Sequence, residues 1–176
     1  VTVIVRSAED ADMPEILAIT NHAIAATTAL WTDAPLTLAQ RTAWMHDRKK
    51  AGFPVIVAAD NDGAILGFGS YGAFRAFDGY RHTVEHSVYV APSAQRRGIG
   101  RMLLDSLVRH AADAGHHVMI GAITADNAPS IALHQALAFA MGPVLPQVGR
   151  KFDRWLDLAL MYRMLQPDSA PAGAPD

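Results

Sequence analysis

The stretch from Glu85 to Arg101, EHSVYVAPSAQRRGIGR, most restricts what this chain can fold into. It reads as a strand, a stop, a glycine-rich loop and a helix start. His86, Val88 and Val90 fall on one face of the strand, and Ser87 and Tyr89 on the other. Pro92 ends the strand because it has no N–H to give a ladder. Gln95-Arg96-Arg97-Gly98-Ile99-Gly100 follows, and Arg101-Met102-Leu103-Leu104 opens an amphipathic helix. Backbone N–H groups entering a helix are unsatisfied donors, and the helix dipole adds positive potential there. Glycines let an anion approach the backbone closely. Arg96, Arg97 and Arg101 add full charges. Such a loop suits a diphosphate.

Two familiar phosphate loops do not fit. The Walker pattern needs Gly-Lys-Ser/Thr after its second glycine. The dinucleotide fingerprint needs a third glycine that is missing here. What fits is Gln/Arg-x-x-Gly-x-Gly/Ala after a hydrophobic strand, here Gln95 to Gly100. In that pattern the chain resembles the GCN5-related N-acetyltransferases, whose loop of this kind holds the pyrophosphate of acetyl-CoA. Without the resemblance, the same residues read as a basic turn before a surface helix.

The 176 residues suit one domain, and a 51% hydrophobic content gives it a sizeable core. We expect the domain over residues 1–165 and a disordered tail over residues 166–176, where PDSAPAGAP cannot build a core. There are no cysteines, which excludes disulfides, thiolate metal sites and a cysteine nucleophile. A net charge of −2 implies no broad polyanion-binding face, so no nucleic-acid partner is expected. No apolar run approaches a membrane span and no signal-peptide pattern is seen, so a soluble cytoplasmic protein is expected. Eight histidines invite a metal reading. His116-His117 is not a known ligand spacing and His-Glu-x-x-His is absent, so no metal is expected.

In chain order, Thr2–Arg6 reads as a first strand. Asp12 with Glu15 reads as a capping box, with Pro14 in the first turn of a helix that carries Ile16, Leu17, Ile19, Ala23 and Ile24 on one face. Trp31 in the following loop is either a core aromatic or part of a ligand wall. Thr37 and Gln40 form a second capping box before a helix over Leu38–Lys50, closed by Gly52. Phe53–Asp60 and Ile65–Tyr71 read as antiparallel strands around the turn Asn61-Asp62-Gly63. The loop Gly72–His82 holds two arginines and three aromatics. It is either an ordinary surface loop or, as we favour, an anion pocket with apolar walls.

After the central stretch, a helix runs to about Ala114 with Gly115 as its cap. Val118–Thr124 is a strand, and a helix begins at Asp126–Ser130. Met141–Val148 is strand-like but broken by Gly142, Pro143 and Pro146. Gly149–Arg154 reads as a basic turn. Trp155–Met164 alternates, with Leu156, Leu158, Leu160, Tyr162 and Met164 on one side. The order β, α, α, β, β, β, α, β, α, β, β mixes a meander with βαβ crossovers. This is an α+β plan: a mixed, mostly antiparallel twisted sheet flanked by about four helices.

That order resembles the acetyltransferase fold over about Val3 to Leu165. Three segments narrow the resemblance: Gly79 to Val90, Gly115 to Met119, and Val148 to Asp157. They are similar to the phosphinothricin and methionine sulfoximine N-acetyltransferases. The resemblance implies direct transfer from acetyl-CoA to the α-amine of a small amino-acid analogue, within a ternary complex. It implies that the strand ending at Val90 splays from the strand beginning near Val118. The backbone of Val88, Tyr89 and Val90 would hold the pantetheine arm, Gln95 to Arg101 the pyrophosphate, and Asn127 the cofactor arm. It also implies a homodimer.

Glu85 is the candidate base, since a partly buried carboxylate titrates closer to neutrality. Without the resemblance it reads instead as a surface glutamate at a strand start. His134 stands where many relatives carry a tyrosine near the thiol. It would protonate the leaving sulfur or help deprotonate the amine, or else it is a histidine packed on an inward helix face. Arg75 with Phe77, Asp78, Gly79 and Tyr80 should form the acceptor pocket, because a guanidinium fork can bond a carboxylate or phosphinate twice. Trp31, Lys151, Phe152 and Trp155 would complete it, with a contribution from a second subunit open. Two positions depart from the family pattern, Ala138 and Asp153, where glycine is usual. Two other functions remain to be separated by experiment. One is acetylation of another amine: an ordinary amino acid, a polyamine or a peptide N-terminus. The other is a non-catalytic acyl-CoA-binding module, which would need neither Glu85 nor the Arg75 loop.

Overall fold

The structure is a computed structural model that describes residues 2–166. The tail expected from Gln166 onward lies outside them, apart from Gln166, whose amide donates to the Ala112 carbonyl at 2.8 Å. The elements follow the expected order. They are β1 (Ile4–Ser7), α1 (Met13–Ala26), α2 (Leu38–Lys50), β2 (Val55–Ala59), β3 (Ile65–Ala73) and β4 (Thr83–Val90). Then come α3 (Ile99–Asp113), β5 (Val118–Thr124), α4 (Ala128–Ala136), β6 (Ala140–Lys151) and β7 (Arg154–Met164). The seven strands form one sheet in the order β1-β2-β3-β4-β5-β7-β6. Every neighbouring pair is antiparallel except β4 and β5. A parallel pair needs a crossover, and α3 supplies it. The fold is therefore α+β, with four helices on a mixed and mostly antiparallel sheet.

Local chemistry explains most boundaries. Thr37 and Gln40 close the capping box that starts α2. Gly52 and Gly115 end α2 and α3 with φ of +81° each, a region that suits glycine. On β3, a Cβ at Gly67 would lie 3.1 Å from Leu103 Cδ1, and one at Gly69 would lie 3.0 Å from Leu107 Cδ1. The bare strand lets α3 settle directly on the sheet, burying Leu103, Leu104, Leu107, Val108 and Ala111. Helix α1 packs over β3 and β4 and α2 over β2.

Two expectations change. Asp12 does not pair with Glu15 in a capping box. Its carboxylate takes both Arg6 guanidinium nitrogens at 2.7 and 2.8 Å and the Glu9 N–H at 2.8 Å. Glu15 instead accepts from the Ile65 N–H. Second, β6 runs from Ala140 to Lys151. Its glycine and prolines shift the register between Met141 and Val144 and between Leu145 and Gly149 rather than ending it. The basic turn contracts to Phe152-Asp153, both at positive φ (50° and 56°), a two-residue hairpin turn of the primed kind. Along β7 the alternation holds: on the side that carries Leu156, Leu158, Leu160, Tyr162 and Met164 exposure rises from buried Leu156 to exposed Tyr162 and Met164, while on the other side Ala159 and Met161 are buried. Ala159 and Met161 share the face that Ile123 and Gly121 present on β5. On the opposite face, α1 and α2 lie over the β2–β4 half of the sheet.

Candidate active site

The site begins with a break in the sheet. The parallel pairing runs from Thr83↔Val118 to His86↔Gly121 and ends there. Beyond it β4 continues to Val90 and β5 to Thr124 without pairing, so the two strands splay. The gap opens into a cleft of about 890 Å³. Ala29 in the loop after α1, His86 and four longer pieces of chain line it. The four are Ser87–Val90 on β4, the loop from Pro92 to Arg101, Ala122–Thr124 at the end of β5, and Asn127 to His134 around α4.

The loop has the form of an anion cradle. Arg96 and Gly98 take positive φ of 59° and 79°, while the intervening Arg97 does not. Alternating hand turns successive N–H groups to one side, the arrangement that binds anions. A Cβ built at Gly98 meets nothing within 4 Å, so the loop faces open space. Gly100 is tighter, since a Cβ there would lie 3.3 Å from Leu133 Cδ2. The 15-residue helix α3 starts at Ile99, two residues before the expected Arg101, and its N-terminal dipole points at the same space. Of the expected cofactor contacts, Val88, Tyr89, Val90, Gln95, Arg96, Gly98, Ile99, Gly100, Arg101 and Asn127 line the cleft. Arg97 does not. Asn127 caps α4 through its carbonyl oxygen, which accepts from the Ser130 N–H at 3.2 Å, and its amide N–H groups remain available.

Glu85 stands where β4 is still paired on both sides, opposite Gly72 on β3 and Ile120 on β5. Alternation along the strand puts it on the face away from His86. Burial raises its pKa, and the guanidinium groups of Arg75 and Arg48 hold it partly down. The Arg48 guanidinium from α2 fills the space over Gly72 that any side chain there would occupy. Sequence reading missed Arg48. The only signal was Gly72 itself, a bare position in a strand across from a glutamate.

His134 is 4% exposed and lines the cleft from the other face. Its Nδ1 lies 2.7 Å from the Ser130 carbonyl, and its Nε2 lies 3.0 Å from Nε2 of His86. Burial lowers the pKa of both rings, that of His86 to about 3, with His134 adding to the shift at His86. Sequence reading placed His86 beside Val88 but gave it no role. Glu85 and His134 thus flank the strand break from opposite faces.

The residues expected to bind the acceptor stand outside this cleft. Arg75 is exposed and lies over the Phe74 ring, and Tyr80 meets Phe74 edge-on. Phe77 is 79% exposed, and Asp78 and Gly79 form a short 3-10 turn with Tyr80. Phe152 and Trp155 are exposed on the β6–β7 hairpin. Lys151 is not among the residues that line the cleft. It is buried, and its ammonium donates to the Thr27 and Leu30 carbonyls at 2.7 and 2.6 Å. It pins the loop after α1 to the hairpin. Trp31 lies against Gly149, and its indole N–H donates to the Thr28 carbonyl and to Thr124 Oγ1. Through Thr124 it braces the rim of the cleft. Among the described residues, no cluster of three His, Asp or Glu side chains could hold a metal ion.

Comparison with known proteins matches these features. Residues 16–139 match the model of the acetyltransferase (GNAT) family. The chain is 49% identical over 168 residues to an L-methionine sulfoximine/L-methionine sulfone acetyltransferase of Pseudomonas aeruginosa, covering 95% of this chain and 98% of that protein. It is 46% identical over 167 residues to the L-amino acid N-acyltransferase MnaT of Escherichia coli, covering 95% of this chain and 96% of that protein. It superposes with a TM-score of 0.94 on a GNAT superfamily phosphinothricin acetyltransferase from Sinorhizobium meliloti in complex with acetyl-CoA. That pair is 34% identical, covering 99% of this chain and 95% of the other.

Proposed function

The chain belongs to the acetyltransferase (GNAT) family, and on that premise we propose that it acetylates the α-amine of a small amino-acid analogue such as methionine sulfone, methionine sulfoximine or phosphinothricin. It is an acetyl-CoA-dependent N-acetyltransferase. One observation carries the mechanism: β4 and β5 part at His86 and Gly121, beside Glu85 and above a glycine loop that leads into α3.

The open edge of Ser87–Val90 offers backbone groups to an extended pantetheine arm, as a missing strand would. The N–H groups from Gln95 to Gly100 and the charges of Arg96 and Arg101 receive the pyrophosphate. Acetyl-CoA supplies the activated acyl group, a thioester. Glu85 accepts the ammonium proton of the acceptor, directly or through one water, and desolvation keeps its basicity suited to that task. The neutral amine bonds to the acetyl carbonyl carbon, a β4 N–H near Val88 stabilises the oxyanion, and the carbon–sulfur bond breaks with the CoA thiolate leaving as the thiol, carrying the nitrogen's second proton. Arg75 reads the acceptor's carboxylate or phosphinate from the rim, with Phe77 and Tyr80 as apolar wall.

The acceptor pocket is completed in a homodimer. Met141, Val144, Leu145, Val148, Phe152, Trp155, Tyr162 and Met164 all lie exposed on the paired strands β6 and β7 and their hairpin. Apolar side chains exposed around an edge strand and its neighbour suit an interface. A second copy seated there would bring Phe152 and Trp155 towards an acceptor pocket.

The similarity to an L-amino acid N-acyltransferase supports a second reading, in which ordinary amino acids are also accepted. Thiol release from acetyl-CoA over a panel of amines decides between them, since turnover of ordinary amino acids such as methionine and leucine is expected only under the second. Methionine sulfone should be acetylated well and spermidine poorly. Equal rates on spermidine and methionine sulfone would overturn the small anionic acceptor.

A further inference from the structure

Arg48 stands beside Glu85 without pairing with it. A Cβ built at Gly72 would overlap Arg48 Nη1, so the guanidinium sits where a Gly72 side chain would begin. Gly72 lies directly opposite Glu85 in the β3–β4 register. Opposed residues on antiparallel strands share a face, with Cβ atoms about 4.5–5.5 Å apart. The guanidinium is thus the cross-strand neighbour of the Glu85 side chain. Yet among the described residues the Arg48 side chain makes neither an ion pair nor a hydrogen bond. Packing holds it instead. Its Cζ lies 5.9 Å from the Trp44 ring centroid, one turn back on α2, and Trp44 meets Phe68 edge-on at 6.4 Å. Nor is it sealed off. The fully buried side-chain nitrogens without a partner, among the described residues, are Arg41 Nε and His86 Nδ1. Those of Arg48 stay within reach of a ligand.

An α-amino acid carries its ammonium and its carboxylate on one carbon. Whatever seats the ammonium on Glu85 therefore seats the carboxylate immediately beside it. Glu85 faces two guanidinium groups, those of Arg75 and Arg48. One carboxylate balances one of them, and a positive charge is left over. A carboxylate and a guanidinium side by side and unpaired are the complement of a zwitterionic head. Of the two cations, Arg75 is exposed on its loop, over the Phe74 ring, and is the more screened by solvent. Arg48 is half-buried, and its planar fork gains more from a bidentate oxyanion.

We propose that Arg48 is a specificity-determining residue that binds the α-carboxylate of the acceptor while Glu85 takes its ammonium. This rests on the reading of the protein as an N-acetyltransferase for amino-acid analogues. It divides the anion binding in two. The α-carboxylate goes to Arg48 beside the base, and the distal phosphinate of phosphinothricin stays with Arg75 at the rim. Gly72 gains a purpose here, since any side chain at that position would push the fork off its seat. The acceptors selected are α-amino acids. An amine with no carboxylate next to its nitrogen, such as spermidine, forfeits the contact.

The test is a cycle between enzyme and acceptor, run on the whole chain. Methionine sulfone is compared with its carboxamide, which keeps the size of the carboxylate but not its charge. The readout is kcat/KM on the pH plateau above the acid limb, where Glu85 is ionised. The different basicity of the carboxamide's amine enters every enzyme alike and cancels from the comparison. Wild type should prefer the carboxylate. Arg48→Met should lower that preference by about 10–150-fold, the worth of a charge-assisted bidentate contact, with KM for acetyl-CoA little changed. Arg48→Lys, a point charge in place of a fork, should keep part of the preference. Gly72→Ala leaves Arg48 in the sequence but displaces its guanidinium, so it should lower the preference too. A substitution that only retuned Glu85 would slow both acceptors alike. An unchanged preference in Arg48→Met therefore overturns the proposal, whatever happens to the rate. If that variant fails to fold, an unchanged preference in Gly72→Ala overturns it. Wild-type protein that acetylates no amine would defeat the functional reading, and calorimetry of the two compounds on the CoA-loaded protein would then read the same preference without turnover.

Discussion

Replacing Glu85 by glutamine isolates the proton-accepting step. Glutamine keeps the shape of the side chain and its place between Gly72 and Ile120, but it cannot take the proton that an α-ammonium must lose. A positioned base contributes about 10²–10⁴ in rate, or roughly 2.7–5.5 kcal/mol of barrier. The structure places Glu85 in a setting that calls for the full range: half-buried, with its pKa raised by desolvation and held partly down by Arg75 and Arg48. The wild-type acid limb of kcat/KM should therefore lie above the ordinary carboxylate value of 4.5. Activity falls as pH drops through it, because the carboxylate must be ionised to act. Glu85→Gln should lose that limb, and its deficit should shrink at high pH, where more acceptor is already neutral. Arg48→Met removes a cation that favours the ionised form, so it should push the wild-type limb higher still. Acetyl-CoA affinity by calorimetry should be unaffected in Glu85→Gln, because loop backbone holds that ligand. Near-wild-type turnover of Glu85→Gln, with His134→Ala inactive, would refute the assignment and make His134 the base. Equal losses in both variants and no further loss in the double variant would mean that the two act as one unit.

Other substitutions test other parts of the account. Gly98→Val should abolish acetyl-CoA binding in a folded protein, since it fills open space at the loop and strains a φ of 79°; unchanged affinity by calorimetry would remove the pyrophosphate from this loop. Arg75→Ala should raise KM for an anionic acceptor by about 10–150-fold, the worth of a charge-assisted bidentate contact, with little effect on KM for acetyl-CoA. Ala138→Gly relieves a positive φ of 60° just after α4. The relief of about 1–2 kcal/mol, less roughly 0.5–1 for glycine's chain entropy, should raise the melting temperature by up to about 6 °C at unchanged kcat.

What the sequence made legible was local, and what it hid was long-range. Thr37 with Gln40 announces α2, and Gly52 and Gly115 announce two helix ends, because each signal lies within one turn of what it controls. The Gln95–Gly100 loop and the strand before it are likewise contiguous, so the cleft's main lining could be named in advance. Ala138 was marked as a departure from a glycine pattern, and its positive φ shows what that glycine serves. Arg48 was invisible because its partner surface, Gly72, is on another element and carries no side chain to suggest a contact. Lys151 looked like a pocket cation because its own neighbours are basic and aromatic. The carbonyls that consume its charge, those of Thr27 and Leu30, lie more than a hundred residues earlier in the chain. The alternation in β7 was real, but how far each face is buried depends on what packs over the sheet, which no strand records in itself.

Initial-rate kinetics with acetyl-CoA and methionine sulfone both varied test the central claim most directly, with the product identified by mass spectrometry. Direct transfer across the β4–β5 break requires both substrates to be bound together. The account predicts intersecting double-reciprocal lines and a product carrying one acetyl group on its α-nitrogen. Parallel lines with an acetylated enzyme isolated in the absence of acceptor would contradict it.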